Sequence, residues 1–400
     1  MSEAVAAQGL ERYRALLRVP HARRLFLWAL LARLPMGMVP LGLVLLVRDS
    51  GGSYGAAGAV VGAHLVAGAV GAPVAGRLVD LRGHAHVLRP RAVLFPLALL
   101  VLCALALADA PILSFAACAV AAGALMPPVG ASLRSLWPRL LGDPSLRAAA
   151  YALEASLQEV FFVVGPLLVA VVAGLVSPVA ALALAAVAGA AGTAGFTSME
   201  PVRQAGPGAE GVRSFLGALE SGGVRTIVLI AVCCGVAFGG VEVGIPAFAE
   251  QHGGRELAGI PLALFAAGSL VGGLVAGART TGSQRRLLRL AAAALVVGLA
   301  LPLLAESLTA LSVLMFAAGL PIAPVFTAAY ALIDSVARPG TATEAFAWIT
   351  TAIGSGFAAG TSAGGALVDS QGVRASFALG CAGAALATLL ALGGPGLEDP

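Results

Sequence analysis

Twelve apolar stretches, each 19 to 28 residues long and divided by short polar breaks, limit what this chain can become. About 20 apolar residues let a helix cross the ~30 Å hydrocarbon core of a bilayer. No water is available there, so each spanning segment must pair its own backbone groups, which a helix does. The stretches lie at about 25–47, 56–79, 90–108, 111–136, 148–175 and 178–198, then at 225–249, 257–278, 287–305, 308–333, 343–368 and 374–393. Between the two sets, residues 199–224 hold Pro201, Gly206, Pro207 and Gly208 among mixed charges and read as a linker. The expected fold is an all-α membrane protein with twelve transmembrane helices in two pseudo-symmetric six-helix bundles, 25–198 and 225–393. A lead at 1–24 precedes them and a short tail at 394–400 follows.

Composition agrees: of 400 residues, 59% are hydrophobic and only 11% charged, against about 25% charged in a soluble domain. All 24 basic residues are Arg. Arginine-rich loops stay on the cytoplasmic side. With the N-terminus inside, only Arg48, Arg255 and Arg374 fall outside, Arg33 lies within the first helix, and every other Arg is inside. Both ends are therefore expected in the cytoplasm, in a multi-pass protein of the plasma (inner) membrane with a retained first helix. The Arg residues cluster at helix ends rather than in one patch, so no nucleic-acid partner is expected. Cys103, Cys118, Cys233, Cys234 and Cys381 lie in apolar runs without disulfide or zinc spacing and read as small core residues.

The halves echo one another. Gly51-Gly52 recurs as Gly253-Gly254, Gly83 as Gly282, and Ala150-Tyr151-Ala152 with Gly165 as Ala345-Phe346-Ala347 with Gly360, at offsets of 202, 199 and 195 residues. Such order implies a duplicated six-helix unit. Four-residue spacings of Gly, at Gly58 and Gly62, Gly268 and Gly272, Gly273 and Gly277, and Gly356, Gly360 and Gly364, allow close helix approach.

Charges inside spans are costly and mark function by default. The stretch from Tyr151 to Gly174 carries Glu154 and Glu159. Tyr151, Glu154 and Gln158 share one helical face, suited to lining a cavity, while Glu159 lies roughly 140° round from Glu154. Gly165-Pro166 interrupts the backbone bonding and frees the carbonyl of Phe162. Arg33 lies about 12 Å into the first helix and requires a partner. Glu242 sits among apolar residues and glycines in the seventh helix, which suits proton binding. Against these readings stand a static ion pair for Arg33, a packing kink at Gly165-Pro166 and a hydrated vestibule around Glu242. His64 reads as an interhelical hydrogen bond rather than a relay, and Arg134, Arg139, Arg147, Asp334 and Glu344 as interfacial or latch charges at inner helix ends.

Between the second and third helices stand Gly76-Arg77-Leu78-Val79-Asp80-Leu81-Arg82-Gly83-His84. This loop and the twelve-helix layout resemble the major facilitator superfamily, whose motif here reads Gly, three residues, Asp, Arg, one residue, Gly and then basic residues. Leu81 holds the place of the first Arg, Arg82 follows one step later, and His84 and His86 take the basic end. The resemblance implies that Asp80 latches the cytoplasmic ends of the two halves. The N-terminal end of the eleventh helix, with Thr341 and Thr343, is a suitable acceptor for that anion. It also implies that helices two, eight and eleven line the seam between the halves, and that helices one and five are neighbours, making Glu159 or Glu154 the partner of Arg33. Gly165-Pro166 matches the first part of the family's antiporter signature, with Val169 and Ala170 where a Gly pair follows in that signature.

No phosphate-binding loop, metal-ligand pair or nucleophile elbow appears, so neither an enzyme nor a cofactor is expected. The leading expectation is a monomeric exporter of a small organic molecule or drug, resembling the drug/proton antiporters, whose partners are substrate, proton and lipid bilayer. A facilitative carrier or importer of sugar-like or amino-acid-like solutes is the alternative, and a non-transporting sensor or scaffold is another.

Overall fold

A computed structural model describes residues 11–52, 54–108, 110–207, 216–252, 255–279 and 283–397. Among them all regular structure is helical. The first bundle comprises α1 (Ala22–Asp49), α2 (Tyr54–Arg82), α3 (His84–Leu107), α4 (Ile112–Leu125), α5 (Val129–Leu140), α6 (Pro144–Leu175) and α7 (Pro178–Ser198). The second comprises α8 (Gly222–Gln251), α9 (Gly259–Arg279), α10 (Gln284–Ala300), α11 (Leu308–Gly319), α12 (Ile322–Val336), α13 (Ala342–Gln371) and α14 (Val373–Gly393). The pairs α4–α5 and α11–α12 are each one span, broken at Met126-Pro127-Pro128 and at Leu320-Pro321. Proline supplies no backbone N–H and obstructs the preceding turn. Eleven of the twelve spans are long and apolar enough to cross a bilayer. The twelfth is α13, 30 residues rich in Thr, Ser and Gly.

Several helices begin at an acceptor placed for the orphan N–H groups of the first turn. Asp143 accepts from the Ser145 N–H at 2.8 Å, with Pro144 at the first helical position of α6. That bond holds the Asp143 carboxyl below its ordinary value. Ser177, Ser221, Ser283 and Ser307 cap α7, α8, α10 and α11 in the same way.

The sequence places the third helix at 90–108, yet α3 begins at His84. Gly83 has φ +88°, a left-handed conformation costly to any side chain, so one residue turns the chain from α2 into α3. The lead also differs from a free tail. Residues 11–18 form a helix, from which Arg12 and Tyr13 donate to the carbonyls of Ala278 (2.9 Å) and Leu274 (3.1 Å) on α9. Burial pushes the Tyr13 hydroxyl up to about 12.

The glycine spacings are used mostly within bundles rather than along the seam. Gly356 and Gly360 of α13 lie against the backbone of Val232 and Val236 of α8, and Gly268 and Gly272 against Phe316 and Leu320. Only Gly273 and Gly277 face the other bundle, at Ser156 and Ala152 of α6. The seam itself is closed at the end where Arg82, Arg147 and Arg338 lie, called here the arginine-rich end. Toward the opposite end a Cβ at Gly58, Gly62 or Gly354 would meet nothing within 4 Å. The two bundles thus diverge away from the arginine-rich end.

Candidate functional site

At the arginine-rich end, Asp80 closes α2 on α13. Its carboxylate accepts from the backbone N–H groups of Thr343 (3.1 Å) and Glu344 (2.9 Å) at the first turn of α13. Unpaired N–H groups and the helix dipole both favour an anion there. Gly76, one turn earlier, permits the contact: a Cβ at this position would stand 2.8 Å from the Thr343 carbonyl oxygen. Arg77 donates to the Gly340 carbonyl at 3.0 Å and lies 3.7 Å from the Glu344 carboxylate. Thr343 also donates to the Ser135 hydroxyl at 2.9 Å, and Ser135 lies 3.0 Å from His84 Nε2. Arg147 of α6 bonds Asp334 of α12 at 2.8 Å. Arg82 is exposed beyond these contacts.

Deeper in the first bundle, Glu154 holds three partners from α1 and α5. Trp137 Nε1–H donates to one carboxylate oxygen at 2.6 Å, while Arg134 and Arg33 approach the other at 3.3 and 3.7 Å. Arg33 also donates to Gln158 Oε1 at 3.2 Å and lies 4.5 Å from the Phe161 ring centre. Arg134 stacks at 4.0 Å over Tyr330 of α12, a cation–π contact across the seam. Gly130 leaves the room for Arg33, since a Cβ there would lie 3.2 Å from its Nε. Two guanidiniums thus share the one described carboxylate, and all three are buried. Charges so enclosed are tolerated only when paired.

Three sequence expectations change here. Arg134 is enclosed rather than interfacial, because α5 turns inward after the proline break, whereas Glu344 lies in the latch beside Asp80 and Arg77. Tyr151, expected to line a cavity, is shut between Tyr330 (6.4 Å) and Phe346 (6.0 Å), because the seam is closed at its level. Glu242, expected among apolar neighbours, is exposed. It lies on α8 between the α13-facing glycines Gly235 and Gly239 and Phe238, on the side where the bundles diverge. The side chain of Glu159 lies outside the described residues. His64 Nδ1 lies 3.2 Å from the Ala119 carbonyl, an interhelical contact.

Sequence reasoning missed Trp137 and the aromatic cluster that begins at Phe238, one turn along α8 from Glu242. Phe238 meets Phe265 (6.4 Å) and Phe326 (6.2 Å), and Phe326 meets Tyr330 (6.2 Å), which reaches Phe346. These rings come from α8, α9, α12 and α13, and no local spacing joins them. The one local signal was Arg134, a charge inside the predicted 111–136 span.

Gly165-Pro166 leaves α6 unbroken from Pro144 to Leu175. Gly165 faces Gly37 of α1, where a Cβ would lie 2.8 Å from the Gly37 Cα. Overpacking such a crossing costs about 1–3 kcal/mol. Gly165→Ala is therefore expected to lower the melting midpoint of the purified protein. Gly174→Ala, where a Cβ meets nothing within 4 Å, leaves the midpoint unchanged. Equal midpoints for the two variants would contradict this packing.

A search of curated proteins finds no significant match. Among solved structures, the chain is similar to the human organic anion transporter MFSD10 (TETRAN), with a TM-score of 0.69 and 16% identity over 97% of this chain and 98% of that one. It is similar to a bacterial homologue of the iron transporter ferroportin in an outward-facing state with soaked iron (TM-score 0.74, 14% identity, 92% and 98% covered). It is also similar to the proton:xylose symporter XylE bound to 6-bromo-6-deoxy-D-glucose (TM-score 0.65, 14% identity, 92% and 94% covered). At these identities the likeness is one of fold. The family model described as Major Facilitator Superfamily matches residues 25–307 and 227–398, and with the two-bundle fold this means that the chain belongs to the Major Facilitator Superfamily.

Proposed function

We propose that this membrane transporter exports a small lipophilic organic cation in exchange for protons, by alternating access between two faces of the membrane. The observation that carries the reading is Glu242, an exposed carboxylate one helical turn along α8 from Phe238, whose ring meets those of Phe265 and Phe326. Among the described residues no cation lies within ion-pair distance of it. A carboxylate near aromatic rings binds an organic cation through charge and ring faces, and binds a proton in its place. Competition at one oxygen pair is the simplest form of antiport. The arginine-rich end is the cytoplasmic side in this reading, so the structure is the outward-facing state, in the plasma membrane and as a monomer.

Asp80 and its neighbours serve as the cytoplasmic latch, and Glu154 with Arg33 and Arg134 as the buried element that reports protonation to it. Glu159 is proposed as a further proton-binding carboxylate from its place beside Gln158. Gly165 and Pro166 set the α1–α6 crossing about which this element is built.

Glu242→Gln keeps the shape of the side chain and removes its titration. Proton-driven export of a quaternary ammonium dye from proteoliposomes is expected to fall to the level of protein-free vesicles. The melting midpoint stays near wild type, since exposed substitutions cost within about 0.5 kcal/mol. Undiminished export by this variant would reject the assignment.

One observation favours a second reading. Arg33 and Arg134 outnumber the one described carboxylate beside them. An anion that reached them after protonation of Glu154 would travel with that proton rather than against it. Among the similar structures, an organic anion transporter matches the charge of such a solute and a proton:xylose symporter matches the direction of coupling.

A further inference from the structure

The second bundle carries a groove of about 690 Å³ on its flank, away from the seam, between α9, α10 and the α11–α12 break. Its walls include Val275, Leu290, Ala294, Val297 and Leu320, and its mouth at the arginine-rich end is formed by Ser283, Gln284 and Arg286. From Arg286 to Leu301 the groove follows α10 for about 22 Å at 1.5 Å per residue. That exceeds half of the ~30 Å hydrocarbon thickness, the depth of one leaflet.

The first bundle carries a polar bridge at the equivalent place. Gly83 and Gly282 are related by an offset of 199 residues, and the same offset relates Arg91 to Leu290. Arg91 closes the equivalent place in the first bundle, donating to the carbonyls of Ala124 (2.9 Å) and Met126 (3.4 Å) at the α4–α5 break. Leu290 makes no such bridge and is 60% exposed. The apolar groove therefore runs past a leucine where its counterpart is crossed by a polar side chain.

The mouth is basic. Arg285 and Arg286 open α10, whose first turn has no acid, and among the described residues neither pairs with a carboxylate. Arg289 is spent on the carbonyls of Ala391 and Leu392. Arg286 is exposed and is the arginine that lines the groove.

From this geometry we propose that the groove is a binding site for an anionic phospholipid, with an acyl chain along α10 and the phosphate at Arg286, beside Ser283 and Gln284. Charge at the mouth selects the anionic headgroup, and the depth and apolar walls select a chain. The bound lipid bridges α9, which receives the lead helix, and α12, which carries Asp334 to the seam. It thus braces the second bundle from within whatever solute is carried.

The test is native mass spectrometry of the full-length protein equilibrated with dioleoylphosphatidylglycerol or dioleoylphosphatidylcholine, with melting midpoints measured alongside. One interfacial Arg changes anionic-lipid binding by about fivefold. Phosphatidylglycerol is expected to be retained at least about fivefold more than phosphatidylcholine and to raise the midpoint more. Arg286→Gln brings the two lipids level. Ala294→Trp, which fills the groove at an exposed position, removes retention while the lipid-free midpoint stays at wild type. Equal retention of both lipids by the wild-type protein would overturn the proposal, as would retention of phosphatidylglycerol that neither variant alters.

Discussion

Glu154→Gln is expected to lower stability by about 3–5 kcal/mol, the usual cost of leaving a buried charge without its partner. The substitution keeps the side chain's volume and an oxygen for the Trp137 N–H. What it removes is the charge that Arg33 and Arg134 share. The loss will appear as a fall in the melting midpoint and of proton-driven transport together, so stability and mechanism must be separated. Replacing all three members by Met does so. Apolar residues of similar volume in place of a buried ionic group are often neutral or stabilising, so the triple variant recovers the midpoint and remains inactive. A triple variant that transports would reduce the cluster to packing.

Asp80→Asn acts on the balance between closed and open states. Asn retains one acceptor oxygen for the Thr343 or Glu344 N–H but no charge for the α13 terminus. That interaction contributes about 1–2 kcal/mol in partly buried geometry. A change of this size shifts an equilibrium by roughly 5- to 30-fold. Spin labels on the exposed positions His86 and Ser335, after replacement of the five native cysteines, report the distance across the arginine-rich end. The expected result is one short distance in the parent and a second, longer population in the variant. Acid pH is expected to move the parent the same way, because protonation removes the same charge from Asp80. An unaltered distance distribution would remove Asp80 from the gate.

The twelve spans could be read from the sequence because hydrocarbon thickness dictates their length. The position of Asp80 beside the eleventh helix is implied by the resemblance to the Major Facilitator Superfamily, and the start of a helix suits an anion there. Other features depended on where helices cross. The breaks at Met126-Pro127-Pro128 and Leu320-Pro321 lie inside continuous apolar runs, so periodicity passes through them. Trp137 reaches Glu154 only because α5 turns inward and runs antiparallel to α6. Gly356 and Gly360 have the spacing for close contact, but spacing alone does not say that the contact is α8 rather than the other bundle. Glu242 has apolar neighbours along the chain and open space beside it, because the bundles diverge at its level.

The decisive experiment is the sign of proton movement in proteoliposomes that enclose a pH-sensitive dye and a quaternary ammonium solute with no titratable proton of its own. When the solute flows out, exchange draws protons in and the interior acidifies. The account predicts that acidification, and its loss in Glu242→Gln. Alkalinisation during outflow of an organic anion would instead establish cotransport through Arg33 and Arg134. Outflow of the quaternary ammonium solute without any change in internal pH would contradict proton coupling altogether.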